Sequence, residues 1–108
     1  MFYEKLEFTA AQLNTGVVVS RGISVANRGV SSARVTNNTG ANLDFLLMSR
    51  SEKTKYDASA IVTDLITVND GNTETLTNIS PETTVAIVKG AGSGHTSSLY
   101  IEILKDIN

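Results

Sequence analysis

Between Pro81 and Leu104, apolar side chains recur at every second position. Val85 and Ile87 fall on one side of an extended chain, and Ala86 and Val88 on the other. Beyond the run AGSGHTSS, Leu99, Ile101 and Ile103 share one face, while Tyr100, Glu102 and Leu104 share the opposite one. A period of two is the mark of a strand. The small residues between the two runs predict a flexible hairpin loop. Two strands alone would leave a wide apolar face in water, so the rest of the chain must supply the other strands of a small sandwich or barrel.

The remaining segments fit that demand. Phe2, Glu4, Leu6 and Phe8 alternate loosely with Tyr3, Lys5 and Glu7, and residues 1–12 are read as an edge strand or an intersubunit arm. A helix over Ala10–Asn14 fits but is too short to stand alone. Val17–Val19 and then Ile23 and Val25 predict two short strands bent at Gly22, and Ala33 and Val35 predict another that stops at Asn37. Leu43, Phe45 and Leu47 share a face with Asp44, Leu46 and Met48 behind, a doubly apolar pattern expected of a central or covered strand. Tyr56–Leu65 reads either as a loop entering a strand at Ile61 or as a helix capped by Asp57. Asn69-Asp70-Gly71-Asn72 predicts a hairpin turn with Gly71 at positive φ. In the returning strand Leu76 points inward, opposite a line of threonines at 73, 75 and 77. The fold expected is all-β: one single-domain antiparallel β-sandwich over residues 1–108, jelly-roll-like, with about eight short strands.

Composition narrows the function classes. The 108 residues suit one domain, which at this length buries about two-thirds of its unfolded surface. They contain no cysteine, so the core must hold without disulfides and no thiolate chemistry is available. Nine basic residues against eleven acidic ones give a formal charge of −2, and the basic residues are dispersed. Backbone-driven nucleic-acid binding needs a denser basic stripe, so no nucleic-acid partner is expected. No apolar run reaches membrane-spanning length. The opening MFYEKLEF lacks a signal-peptide pattern, and neither membrane nor secretion is expected. Polarity comes mainly from Ser, Thr and Asn, which suits a surface that packs on other subunits or hydrogen-bonds sugar.

No catalytic, cofactor or metal residues are nominated. His95, the only histidine, lies among serines in Gly92–Ser98, but no GxSxG elbow is present, and an ordinary loop histidine is expected. Lys89-Gly90-Ala91-Gly92-Ser93-Gly94 has its lysine before the glycines, the reverse of a phosphate loop. Asp64, Asp70 and Glu74 lack the spacing of a calcium loop, and nothing nominates a glycosidase pair. Two N-x-[ST] triplets begin at Asn37 and Asn78. Tyr100 is read as a core residue with its hydroxyl at the rim; if its face is solvent-exposed instead, Tyr100 and Glu102 make a binding surface.

Apolar residues on both faces of several strands, and Phe2, Phe8, Leu104 and Ile107 near the termini, point to packing against other subunits. Phe2, Phe8, Tyr100, Glu102 and His95 are the candidate interface or ligand contacts. The VANRG turn at 25–29, the TNNTG turn at 36–40 and the closing LTNISPETTVAIVKGAGSGHTSSLYIEIL resemble the small β-sandwich virion accessory proteins of tailed bacteriophages. That resemblance implies a non-enzymatic structural protein that decorates a capsid or serves a neck or fibre. It implies a homo-oligomer, a trimer in preference, or contact with other virion proteins, in a particle assembled in the bacterial cytoplasm. A carbohydrate- or surface-binding module is the alternative, and a small hydrolase is the weakest reading.

Overall fold

The computed structural model describes residues 2–23, 31–49, 65–79 and 82–105. In these, β1 (Phe2–Phe8) is followed by the single-turn helix α1 (Ala10–Leu13), then β2 (Val18–Gly22), β3 (Ser31–Thr36) and β4 (Leu43–Met48). β5 (Ile66–Val68), β6 (Thr73–Ile79), β7 (Val85–Gly90) and β8 (Leu99–Lys105) complete the described elements. They form two four-stranded sheets, a front sheet ordered β1-β8-β3-β6 and a back sheet ordered β2-β7-β4-β5. Every pairing is antiparallel. The chain passes between the layers at almost every connection, giving the two-layer antiparallel sandwich that the alternation predicts.

Alternate side chains of each strand meet between the layers. Phe8, Val35, Phe45, Val88, Leu99, Ile101 and Ile103 are wholly buried there. Removing each such side chain from water contributes about 1.5–3 kcal/mol, so these positions dominate the stability of the sandwich. β1 lies at the edge of the front sheet, and Phe8 is core. Its burial withdraws it from the candidate interface contacts.

Two pairings differ from the sequence reading. Asp70-Gly71 forms a turn, with Gly71 at φ +87° and the Asn72 amide donating to the Asn69 carbonyl at 3.0 Å. It does not close a hairpin: β5 pairs with β4 in the back sheet, and β6 with β3 in the front sheet. Likewise β7 and β8 are not partners. β7 lies between β2 and β4, and β8 between β1 and β3, so the glycine-rich loop bridges the layers. Alternation reports which face is inward and carries no information on which strand lies alongside.

The doubly apolar pattern of β4 and β7 also has a local explanation. Met48, Val85 and Ile87 are buried in a second cluster, with Val18, Leu46 and Leu65 packed against it. Met48, Val85 and Ile87 are thus already covered within the chain, and Val18, Leu46 and Leu65 partly so. The helix-or-strand alternative for residues 56–64, the strand through Val25 and the 25–29 turn lie outside the described residues, as do the side chains of Phe2 and Tyr3 and residues 106–108.

Helix α1 seats the strand ends. Thr9 and Gln12 form a reciprocal capping box, with Thr9 Oγ1 accepting from the Gln12 amide at 3.2 Å and Gln12 Oε1 accepting from the Thr9 amide at 3.0 Å. The helix backbone lies so close to β7 that a Cβ on Gly90 would overlap the Leu13 carbonyl. A Cβ on Gly22, in edge strand β2, would meet nothing within 4 Å. Gly90→Ala is therefore expected to lower stability by about 1–3 kcal/mol in chemical denaturation, while Gly22→Ala changes it by less than about 1 kcal/mol.

Candidate functional site

At one end of the sandwich three polar side chains are buried: Asn37, Thr39 and His95. Asn37 follows β3, and its amide uses every hydrogen-bonding position it has. Nδ2 donates to the carbonyls of Ala41 (2.9 Å) and Val68 (2.8 Å), while Oδ1 accepts from the Thr39 amide (3.0 Å) and hydroxyl (2.8 Å). The backbone of Asn37 pairs with the Asp70-Gly71 turn, donating to Asn72 and accepting from Gly71. One side chain thus joins the end of β3 to the β3–β4 turn and the end of β5. Burial and full donor use exclude Asn37 as an accessible glycan acceptor.

Thr39 carries the chain of hydrogen bonds into the glycine-rich loop. Its Oγ1 lies 2.7 Å from His95 Nδ1, and His95 Nε2 accepts from the Ala91 amide at 2.9 Å. With Nε2 accepting and the Thr39 hydroxyl donating to Asn37, the imidazole is neutral with its proton on Nδ1. Asn14, the C-cap of α1, accepts from the His95 amide and donates to the His95 carbonyl, each at 2.9 Å. Both ring nitrogens are committed to holding the loop, which leaves neither for proton transfer. His95 lies in the loop, as expected, but is buried as a link between segments, and its ring is withdrawn from the candidate ligand contacts.

This lock supports a concavity on the outer face of the front sheet, of about 440 Å³. Strand register builds its floor in rows. Lys5, Glu102 and Arg34 stand opposite one another across β1, β8 and β3, and Glu7, Tyr100 and Thr36 form the next row; of these Lys5, Thr36, Tyr100 and Glu102 line the concavity. Asn38, Ser97 and Ser98, from the two locked loops, make the wall, where Ser97 Oγ donates to the Asn38 carbonyl at 2.9 Å. Arg34 reaches both Glu102 oxygens, at 3.0 and 3.2 Å. Lys5 Nζ sits 4.3 Å from the Tyr100 ring centroid. The Tyr100 hydroxyl donates to Glu7 Oε2 at 2.9 Å, and that bond, followed by the charge of Glu7, raises the phenol above its ordinary pKa.

Tyr100 is 38% exposed on this face, so the core position expected for it is replaced by the solvent-side alternative, with Glu102 beside it. The register explains the difference: residues 99, 101 and 103 take the inward side, leaving 100 and 102 outward. Among the described residues no three His, Cys, Asp or Glu side chains converge as a metal site. Asp70 instead accepts from the Gly40 amide at 2.9 Å. The buried roles of Asn14, Asn37 and Thr39 are not legible in the sequence, where Asn37 stands out only as a strand stop and the start of an N-x-[ST] triplet, because those roles require loops far apart in the chain to meet. Only the Thr9-x-x-Gln12 capping signature that places Asn14 was readable locally.

No family model and no curated protein matches the sequence. The fold is similar to that of a solved chain from Bacillus endospore appendages, a novel family of disulfide-linked pili. The TM-score is 0.58 at 14% identity, over 94% of this chain and 82% of that one. At that identity the shared property is the fold.

Two outcomes test the lock. Asn37→Ala removes the buried bonds to the Val68 carbonyl and the Thr39 amide and is expected to cost about 2 kcal/mol or more, whereas Asn38→Ala, at an exposed neighbour, costs less than about 0.5 kcal/mol; denaturation midpoints separate them. Burial lowers the His95 pKa from 6.5, against a smaller upward pull from Asp70. On acidification the unfolded chain therefore binds this proton first. The contribution of neutral His95 is full above pH 6.5 and declines as pH falls from there through the lower folded-state value. Melting temperature should drop over that interval, and His95→Gln, less stable throughout, should lose this part of the slope.

Proposed function

We propose that this chain is a non-enzymatic structural subunit of an assembled particle, of the virion-accessory kind that decorates or stabilises a capsid, neck or fibre. The observation that carries this reading is the two-sheet antiparallel sandwich itself, similar along nearly the whole chain to a solved chain of the Bacillus endospore appendages, which form disulfide-linked pili. The engagement of both His95 nitrogens in loop structure agrees with it.

The contacts would differ in kind from those of the appendage. Disulfide linkage is closed to these 108 residues, which hold no cysteine, so subunits would join by non-covalent packing. Strand-to-strand addition at the front sheet is also impeded. Arg21 Nε donates to the Glu7 carbonyl of edge strand β1 at 3.2 Å. The opposite edge, β6, carries a register shift where it pairs with β3 between Ser31 and Ala33. Both are devices that blunt sheet edges. Loops and outer faces are left as the packing surfaces, each contact modest and the sum over many copies large.

Light scattering coupled to size exclusion, with negative-stain microscopy, tests the reading. The expected result is a trimer or larger ring whose mass is unchanged by reductant. A monomer at every concentration that also fails to bind purified phage particles would overturn it.

A further inference from the structure

The concavity over the front sheet has a chemistry that structural packing does not require. Its lining holds one cation, Lys5, and one anion, Glu102, with Arg34 and Glu7 at the adjoining register positions. Arg34 holds Glu102, and Lys5 rests on the Tyr100 ring. A phosphate or a divalent cation would find no net opposite charge there. The other lining groups are short and neutral: Thr36, Asn38, Ser97 and Ser98; the Ser97 hydroxyl proton is spent on the Asn38 carbonyl, which leaves its oxygen to accept. Tyr100 adds an aromatic surface; apart from Val17 it is the only large hydrophobic side chain exposed among the described residues. The volume, 440 Å³, falls in the range of small-molecule sites.

From this combination we infer that the concavity binds a neutral sugar residue. Ring hydroxyls meet the Asn38, Ser97 and Ser98 wall and Thr36, while an apolar C–H face of the sugar lies against Tyr100. The wall is preorganised: Thr39 and His95 anchor the two loops from beneath, and Ser97 ties them together at the surface. Ordering cost on binding is correspondingly small. The site does not depend on the subunit assembling, and either property can fail without the other.

Amide chemical shifts of labelled protein test this, titrated with the methyl glycosides of glucose, galactose, mannose and N-acetylglucosamine. At least one is expected to shift Ser97, Ser98 and Tyr100 saturably, with a Kd on the order of 1–10 mM for so small a ligand. Tyr100→Ala should weaken binding at least tenfold. Because Tyr100 also holds Glu7, Asn38→Ala, whose side chain lies outside the lock, provides the second variant and should weaken binding too. Glucose 6-phosphate should bind no better than glucose. The inference is overturned if none of the four sugars shifts these amides, if the shifts map elsewhere, if neither variant weakens binding, or if the phosphate is preferred.

Discussion

Asn37 sits where three connections must close over the end of the sandwich. A loop drawn across buried strand ends brings backbone carbonyls and amides out of water, and each one left unpaired costs about 1–3 kcal/mol. Asn37 serves Ala41, Val68 and Thr39 at once, and Thr39 passes the connection to His95 and thereby to Ala91. Asn14 then secures His95 to helix α1. Without this continuous run of bonds, the two sheets would still bury their apolar faces. The loops above them would lose their single arrangement. The apolar layer supplies most of the energy, and the polar knot specifies how this end is finished.

That specification reaches the surface. The β3–β4 turn and the β7–β8 loop are the same segments that present Asn38, Ser97 and Ser98 beside Tyr100. A concavity walled by loops would ordinarily be soft. Here the wall is pinned from below by buried side chains and from within by the Ser97–Asn38 bond. The floor is equally determined, because antiparallel register places Lys5, Glu102 and Arg34 in one row and Glu7, Tyr100 and Thr36 in the next. The concavity is therefore held in one shape by the same bonds that close this end of the sandwich.

The glycine-rich loop shows how local and global readings diverge. Its sequence excludes a phosphate cradle, correctly, because the order of lysine and glycines is wrong. A hairpin was the natural expectation for it and for Asp70-Gly71, since both separate two strand-like runs. In a sandwich wound between two layers, consecutive strands go to opposite sheets, so both segments became bridges. His95 followed the same course. Surrounded by small polar residues it looks exposed, and only the arrival of Thr39, 56 positions away, makes it a buried link.

Alternation along the chain was enough to establish an all-β sandwich of about eight strands. It grouped Leu99, Ile101 and Ile103 on one face, because a period of two sorts side chains by face, but it did not say which face is covered. Thr9 and Gln12 likewise cap α1 through contacts three residues apart. The strand order, the exposure of Tyr100 and the meeting of Asn14, Asn37, Thr39 and His95 were decided by the tertiary structure alone. Each depends on segments tens of residues apart coming side by side, and the energy that brings them together resides in the packed whole, not in any local stretch.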